Sequence, residues 1–239
     1  MRRILTLILS LSYSSLLFAN VPTITISSGT YSEKSLLYPI EKYIFKSYSR
    51  LGYRVNIIEL SVGRSIKMAE NGEIDALMIK AEEVANSLNN LIKVPILLLE
   101  GEFMLYCQAH VDCDFSVLND PEIIVGVLSG VNLPTQYLST KSASMYQISK
   151  GSQLAEVFKK KRIDYILTFE IDGINVFDFN LANDIQKLPI KKVKGYHLVH
   201  KKHQKLIPEI KASIEQTIKE LGPISDNIER YFNENTSVQ

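Results

Sequence analysis

Two stretches, GRSIKMAENGEIDALMIK at residues 63–80 and GSQLAEVFKKKRIDYILTF at residues 151–169, share one layout. In each, a helical segment ends, an Ile-Asp pair follows (Ile74-Asp75 and Ile163-Asp164), and a run of buried-strand residues begins. The aspartate is placed to accept hydrogen bonds from the backbone of the tight helix-to-strand turn, and the isoleucine to pack beneath a sheet. Two such units in one chain predict two lobes of like construction, although any two strand–helix–strand units share these broad features.

Around this repeat, strand and helix alternate. Thr23 to Ser28 alternates, is rich in β-branched residues and stops at Gly29, so it reads as a strand. Leu36, Leu37, Ile40, Ile44, Tyr48 and Leu51 fall at helical spacing over residues 32–51, with Gly52 closing the helix and Pro39 fitting its first turn. Further strands are predicted at 53–60, 75–80, 91–98 (broken by Pro95), 122–128, 163–169 and 195–199. Helices are predicted at 63–71, 152–161, 206–221 and 224–232, and the residues after Gly130 read as helical or irregular. This order argues for an α/β fold with a largely parallel sheet, whose last helices can return onto the first lobe.

Composition narrows the functional classes. The chain has 239 residues, 46% hydrophobic and 22% charged, enough for one large or two small cores. Disordered, collagen-like and disulfide-dense classes are excluded. A formal charge of +1 supplies no basic field for nucleic acid.

The N-terminus departs from this profile. In MRRILTLILSLSYSSLLFA, residues 1–19, Arg2 and Arg3 precede an apolar stretch, and Ala19 offers a cleavage point before Asn20. That is the pattern of a secretory signal peptide; the alternative is a retained anchor, although the run is short for a bilayer span and is interrupted by serines. Cleavage would turn the excess of one base into an excess of one acid. Cys107 and Cys113, in CQAHVDC, are the two cysteines of the chain. In an exported protein they read as a disulfide closing a short loop. The alternative is a metal site including His110, Asp112 or Asp114, but the spacing is not a standard zinc spacing.

The mature chain resembles the periplasmic substrate-binding proteins of the polar-amino-acid ABC importer type. The resemblance is carried by the first strand running into Tyr31, the Gly52-Tyr53-Arg54-Val55 entry to the second strand, Gly72-Glu73-Ile74-Asp75, and Leu91-Ile92-Lys93-Val94-Pro95. Ile124-Val125-Gly126-Val127 with Ser129-Gly130, and Tyr196 to His200 leading into the helix at 205–221, complete it. Each motif alone is weak; their order and spacing carry the likeness. It implies a type II, two-lobed periplasmic-binding-protein-like fold with two hinge-crossing strands, near residues 101–107 and 188–196. Lobe 1 would be residues 20–102 plus 195–239, and lobe 2 residues 103–194. A solute would bind between the lobes, where strand carboxyl ends and helix N-termini converge.

Seven residues are candidates for contacting that solute. Tyr31 follows the first strand, where its ring could cover a ligand or lie on the surface. Arg64 sits at a helix start, where a cation opposes the dipole; it could grip a carboxylate or pair with Glu59. Lys80 ends the third strand, near where amino-acid-binding members place an arginine. The following Ala81-Glu82-Glu83-Val84 contains none, and lysine cannot reproduce the planar fork, which puts an α-amino-acid ligand in doubt. Ser129, Gly130 and Asn132 could donate to an anion or simply form a turn. Glu170 lies about one residue from where the resemblance implies an acid pairing with a ligand ammonium; otherwise it is a surface carboxylate. His197, His200 and His203 do not suit a metal, because the middle one would face away on a strand. Lys159 to Arg162 reads as a solvated helix end.

No nucleophile elbow, phosphate loop or zinc-protease motif is present in the sequence. The expectation is a non-catalytic, monomeric periplasmic binder of a small polar solute, with no cofactor, no metal and no nucleic-acid partner, delivering to an ABC permease. Two alternatives stand beside it: a dehydratase-like enzyme of the same fold with Glu170 as acid or base, and a solute sensor for a membrane receptor.

Overall fold

The strand β1 (Thr23–Ser27) sits between two parallel neighbours, β2 (Arg54–Ile58) and β3 (Ala76–Ala81). Its alternation puts Ile24 and Ile26 wholly out of solvent, as period-two patterning requires. The structure is a computed structural model and describes residues 21–28, 38–129, 131–172, 174–175 and 185–236. The expected signal peptide, Tyr31 and Gly130 therefore lie outside the described residues.

Helix α1 (Tyr38–Arg50) carries Ile40, Tyr43, Ile44 and Tyr48 into the core. A turn at Gly52, whose φ of 81° suits glycine, delivers the chain to β2. Helix α2 (Val62–Glu70) leads to β3, and the short α3 (Glu82–Asn86) follows it directly. The apolar run at 91–98, expected as a strand broken by Pro95, pairs as a strand over its first three residues. These are β4 (Leu91–Lys93), and beyond it the chain turns through Pro95, which has no N–H to give a ladder. Next come β5 (Leu99–Cys107), β6 (Ile124–Leu128), α4 (Asn132–Leu138), β7 (Ser144–Ile148), α5 (Gly151–Lys159) and β8 (Tyr165–Ile171). The chain closes with β9 (Ile174–Asn175), β10 (Gln186–His200), α6 (Ile207–Leu221) and α7 (Ile224–Thr236).

The strand order is β2-β1-β3-β10-β5-β8-β6-β7. At one side β1, β2 and β3 are parallel; at the other β6, β7 and β8 are parallel. Between them lie β10 and β5, antiparallel to each other and to their outer neighbours. Three successive antiparallel pairings make the two parallel sets run in opposite directions. Register then fixes how they meet. The last residue of β3, Ala81, faces Gly195 of β10, which faces Leu99 of β5. Near the end of β8, Glu170 faces Glu102 of β5, which faces Lys192 of β10. The carboxyl ends of both sets thus converge on one three-residue step of the β5–β10 ladder, from opposite directions.

Separate cores support the two sets. Around β1–β3, Ile24, Ile44, Tyr48 and Ile214 pack on one side, and Ala69, Ile74, Leu77 and Leu198 on the other. Around β6–β8, Phe103, Leu105, Leu138 and Leu167 form one cluster, and Met104, Tyr106, Phe158 and Ile166 another. Helices α6 and α7 return to α1: Ser47 Oγ donates to Thr217 Oγ1 at 3.0 Å, and Arg50 Nη1 to the Ser213 carbonyl at 2.9 Å.

The two Ile-Asp pairs diverge in use. Ile74 and Ile163 are both buried under sheet. Asp75, however, binds across to β1: Thr25 N donates to its Oδ2 at 2.7 Å, while Lys202 Nζ and His203 Nε2 approach Oδ1 at 2.8 Å. It clamps a neighbouring strand and the turn at residues 201–206, not its own helix-to-strand turn. Burial alone would raise its pKa, but these hydrogen bonds hold the carboxyl below its ordinary value. Asp164 is far more exposed and meets His110 at 3.2 Å.

Candidate functional site

The step where the strand ends converge holds a cavity of about 310 Å³ lined by Glu100, Gly101, Glu102, Glu170, Asp172 and Lys192. Gly101 is required there. A Cβ would come within 2.5 Å of the Glu170 carbonyl oxygen, so any side chain would push β8 off β5. Helix α3, which leaves β3, approaches α4, which opens just beyond β6. Glu83 on α3 pairs with Lys191 on β10 at 2.7 Å, while its Oε2 is buried with no hydrogen-bond partner.

Lys80 lies on β3, opposite Tyr196 of β10, which is four residues along that strand from the cavity's Lys192. It is 8% exposed, and its ammonium has no hydrogen-bond or ion-pair partner among the described residues. Burial pulls its pKa down to about 8. A strand position with Ile79 beside it and Tyr196 opposite it in the ladder leaves it little water. An unpaired buried cation is costly to the fold, so this position is not explained by stability.

Glu170 enters from β8 and is 5% exposed. It is matched. Tyr106 on β5 donates its hydroxyl to Oε1, and Lys187 on β10 donates its Nζ to the same oxygen at 2.6 Å. The Lys187 ammonium also lies 5.1 Å from the Tyr106 ring centroid. Lys80 and Glu170 point to one face of the ladder: Lys80 faces Tyr196, Glu170 faces Glu102, and Glu102 faces Lys192, with regular pairing from Lys192 to Tyr196.

The other sequence candidates lie at the edges of this arrangement. Arg64 is exposed in the first turn of α2, and no ion pair to Glu59 forms among the described residues. Ser129 is exposed just after β6, and its N–H is used in the ladder, donating to Ile148 O at 2.8 Å. Asn132 opens α4, with its side chain outside the described residues. Cys107 and Cys113 are disulfide-bonded at the end of β5 away from the cavity. Sequence reasoning missed Tyr106 and Lys187. The alternation of Gln186-Lys187-Leu188 marks a strand, but nothing local aims Lys187 at a residue 17 positions earlier.

His197 is structural. Its Nδ1 lies 3.0 Å from the Met78 carbonyl, which can only accept, so Nδ1 carries the proton and Nε2 accepts from the Tyr48 hydroxyl at 2.8 Å. Burial pushes its pKa down to about 4 and pushes that of Tyr48 up, which suits a neutral pair. Among the described residues no cluster of three or more His, Cys, Asp or Glu side chains could hold a metal ion, and no helix is long and apolar enough to cross a membrane.

No family model matches the chain, and no curated protein matches it. Solved structures do. The GluR0 ligand-binding core from Nostoc punctiforme, in complex with L-glutamate, aligns with a TM-score of 0.69 at 13% identity, covering 87% of this chain and 99% of that one. An ancestral amino acid-binding protein, a precursor of cyclohexadienyl dehydratase, aligns at 0.67 and 14%, covering 88% and 95%. An amino acid ABC transporter substrate-binding protein from Streptococcus pneumoniae, bound to L-arginine, aligns at 0.63 and 15%, covering 88% and 94%. At such identities the likeness shows the fold: the two-lobed α/β architecture of the type II periplasmic binding proteins, as the sequence led us to expect.

Proposed function

We propose that this chain, built on that two-lobed fold, binds a small polar solute between its lobes and hands it to an ABC importer. The observation that carries the reading is the convergence of two opposed strand sets on a cavity, with Lys80, buried and unpaired among the described residues, on the same face of the strand ladder as the cavity's Glu170. Strand carboxyl ends are where open α/β sheets bind ligands, and a buried charge with no protein partner calls for an external one. The lobes would be residues 20–102 with 195–239, and 103–194, hinged on β5 and β10. The solved relatives in complex with glutamate and arginine support solute binding by this architecture.

Lys80 and Glu170 form the centre of the site in this reading. Tyr31, Gly130 and Asn132 would contribute from the segments after β1 and β6, Ser129 through its hydroxyl, and Arg64 from the rim. The protein works as a monomer outside the cytoplasm. The N-terminal signal-like segment and the Cys107–Cys113 disulfide support that location. Glu170 already accepts from two donors, which favours a binding role over general acid catalysis.

A thermal-shift screen of amino acids, small amines, polyols and organic acids tests this. At least one is expected to raise the melting temperature, a ligand at a hundred times its Kd contributing about 2.7 kcal/mol. The shift is expected to vanish in Lys80→Met. No response to any small solute would overturn the reading.

A further inference from the structure

In the amino-acid reading of such a cleft, a buried acid waits for the ligand's ammonium and a cation for its carboxylate. Here the acid's charge is already matched by a lysine of the protein, whereas the cation's charge is unmatched among the described residues. Glu170 is 5% exposed and its Oε1 is held by the Lys187 ammonium at 2.6 Å and by the Tyr106 hydroxyl. Lys187 is itself positioned by the Tyr106 ring, 5.1 Å below it. On the same face, Glu100 is paired with Lys192 at 3.4 Å. Glu102 is half-buried and Asp172 is exposed, so water can solvate both. Lys80 alone is nine-tenths buried with no partner among the described residues.

We propose that the solute is a small organic acid carrying no ammonium group: its carboxylate pairs with Lys80, and the place an α-ammonium would take against Glu170 is filled by Lys187. This rests on the cleft reading above and deepens it. An ammonium brought to Glu170 would have to displace Lys187 or lie beside it, with like charges at close range. One lysine, with three donors and one charge, suits one carboxylate group. A phosphate or sulfate dianion would ask for a further buried cation or a bidentate guanidinium, and neither is present among the described residues at Lys80.

Calorimetry on the full mature chain with matched pairs tests this: L-lactate against L-alanine, succinate against L-aspartate, and glutarate against L-glutamate, with L-arginine, putrescine and inorganic phosphate as further probes. At least one ammonium-free acid is expected to bind at least tenfold tighter than its amino counterpart. Lys187→Met, which frees Glu170, is expected to narrow that ratio tenfold or reverse it, and Lys187→Arg to preserve it. A wild-type preference for the amino acid, or for arginine, putrescine or phosphate, would overturn this inference while leaving the cleft reading standing. Silence from every probe here and from the whole solute screen would overturn both. The wild-type ratio decides the matter even if Lys187→Met fails to fold.

Discussion

The two strand sets deliver a charged side chain to the same place in opposite states. From β3, Lys80 arrives buried and unpaired among the described residues; from β8, Glu170 arrives buried with two donors on one oxygen. Both end a unit of the same plan, helix then Ile-Asp then strand. The shared plan sets the scaffold, while the partners recruited from β5 and β10 decide which of the two charges is matched inside the fold.

That asymmetry can be broken from the Lys80 side with the largest effect. A folded pKa of about 8, below the unfolded value, means the unfolded chain binds more protons between about pH 8 and 10.5. The unliganded protein should therefore gain stability as pH rises through that window, and Lys80→Met should be the more stable protein at pH 7 by up to about 3 kcal/mol. Chemical denaturation at pH 7 and pH 10 checks both. Loss of stability in Lys80→Met would show that the lysine is satisfied in the fold.

His197 tests the first half's core by the same linkage. Its folded pKa of about 4 also lies below the unfolded value. The stability of its neutral form is present above about pH 6.5 and falls away as pH drops toward 4, by up to about 3 kcal/mol. Denaturation midpoints of wild type and His197→Gln between pH 4 and 7 measure it; parallel curves would contradict it.

The paired aspartates sharpen the contrast further. Asp75→Ala leaves the Thr25 N–H and His203 short of an acceptor and is expected to cost about 2 kcal/mol, whereas Asp164→Ala, at an exposed ion pair, is expected to cost under about 0.5 kcal/mol. Equal losses would mean the two turns are equivalent after all. Opening the disulfide with Cys107→Ser and Cys113→Ser together should cost about 2 kcal/mol or less for so short a loop. Since it lies at the far end of β5, solute affinity should stay unchanged.

Most of the scaffold was legible because it is periodic. The helical spacing of Ile40, Ile44 and Tyr48, and the alternation of Ile24 and Ile26, carry burial in the sequence itself. The strand β7 was not legible: in Ser-Met-Tyr-Gln-Ile only Ile148 is buried, so this edge strand has no apolar face to announce it. At the site, the sequence offered Lys80 and Glu170 as charges at strand ends. Their difference in pairing is tertiary, set by Tyr106 and Lys187 across neighbouring strands and by a close approach that only Gly101 permits. Asp75 misled for a similar reason: a local turn acceptor was expected, and the carboxylate reaches Thr25 on another strand instead.

The central claim is that Lys80 is a buried cation with no counter-charge among the described residues. Heteronuclear NMR of the Lys80 side chain, assigned by comparison with Lys80→Met, reads it directly across a pH titration. The account predicts a midpoint near 8 without solute and a rise toward the ordinary lysine value when a carboxylate binds. A midpoint already near 10.5 in the unliganded protein would contradict it.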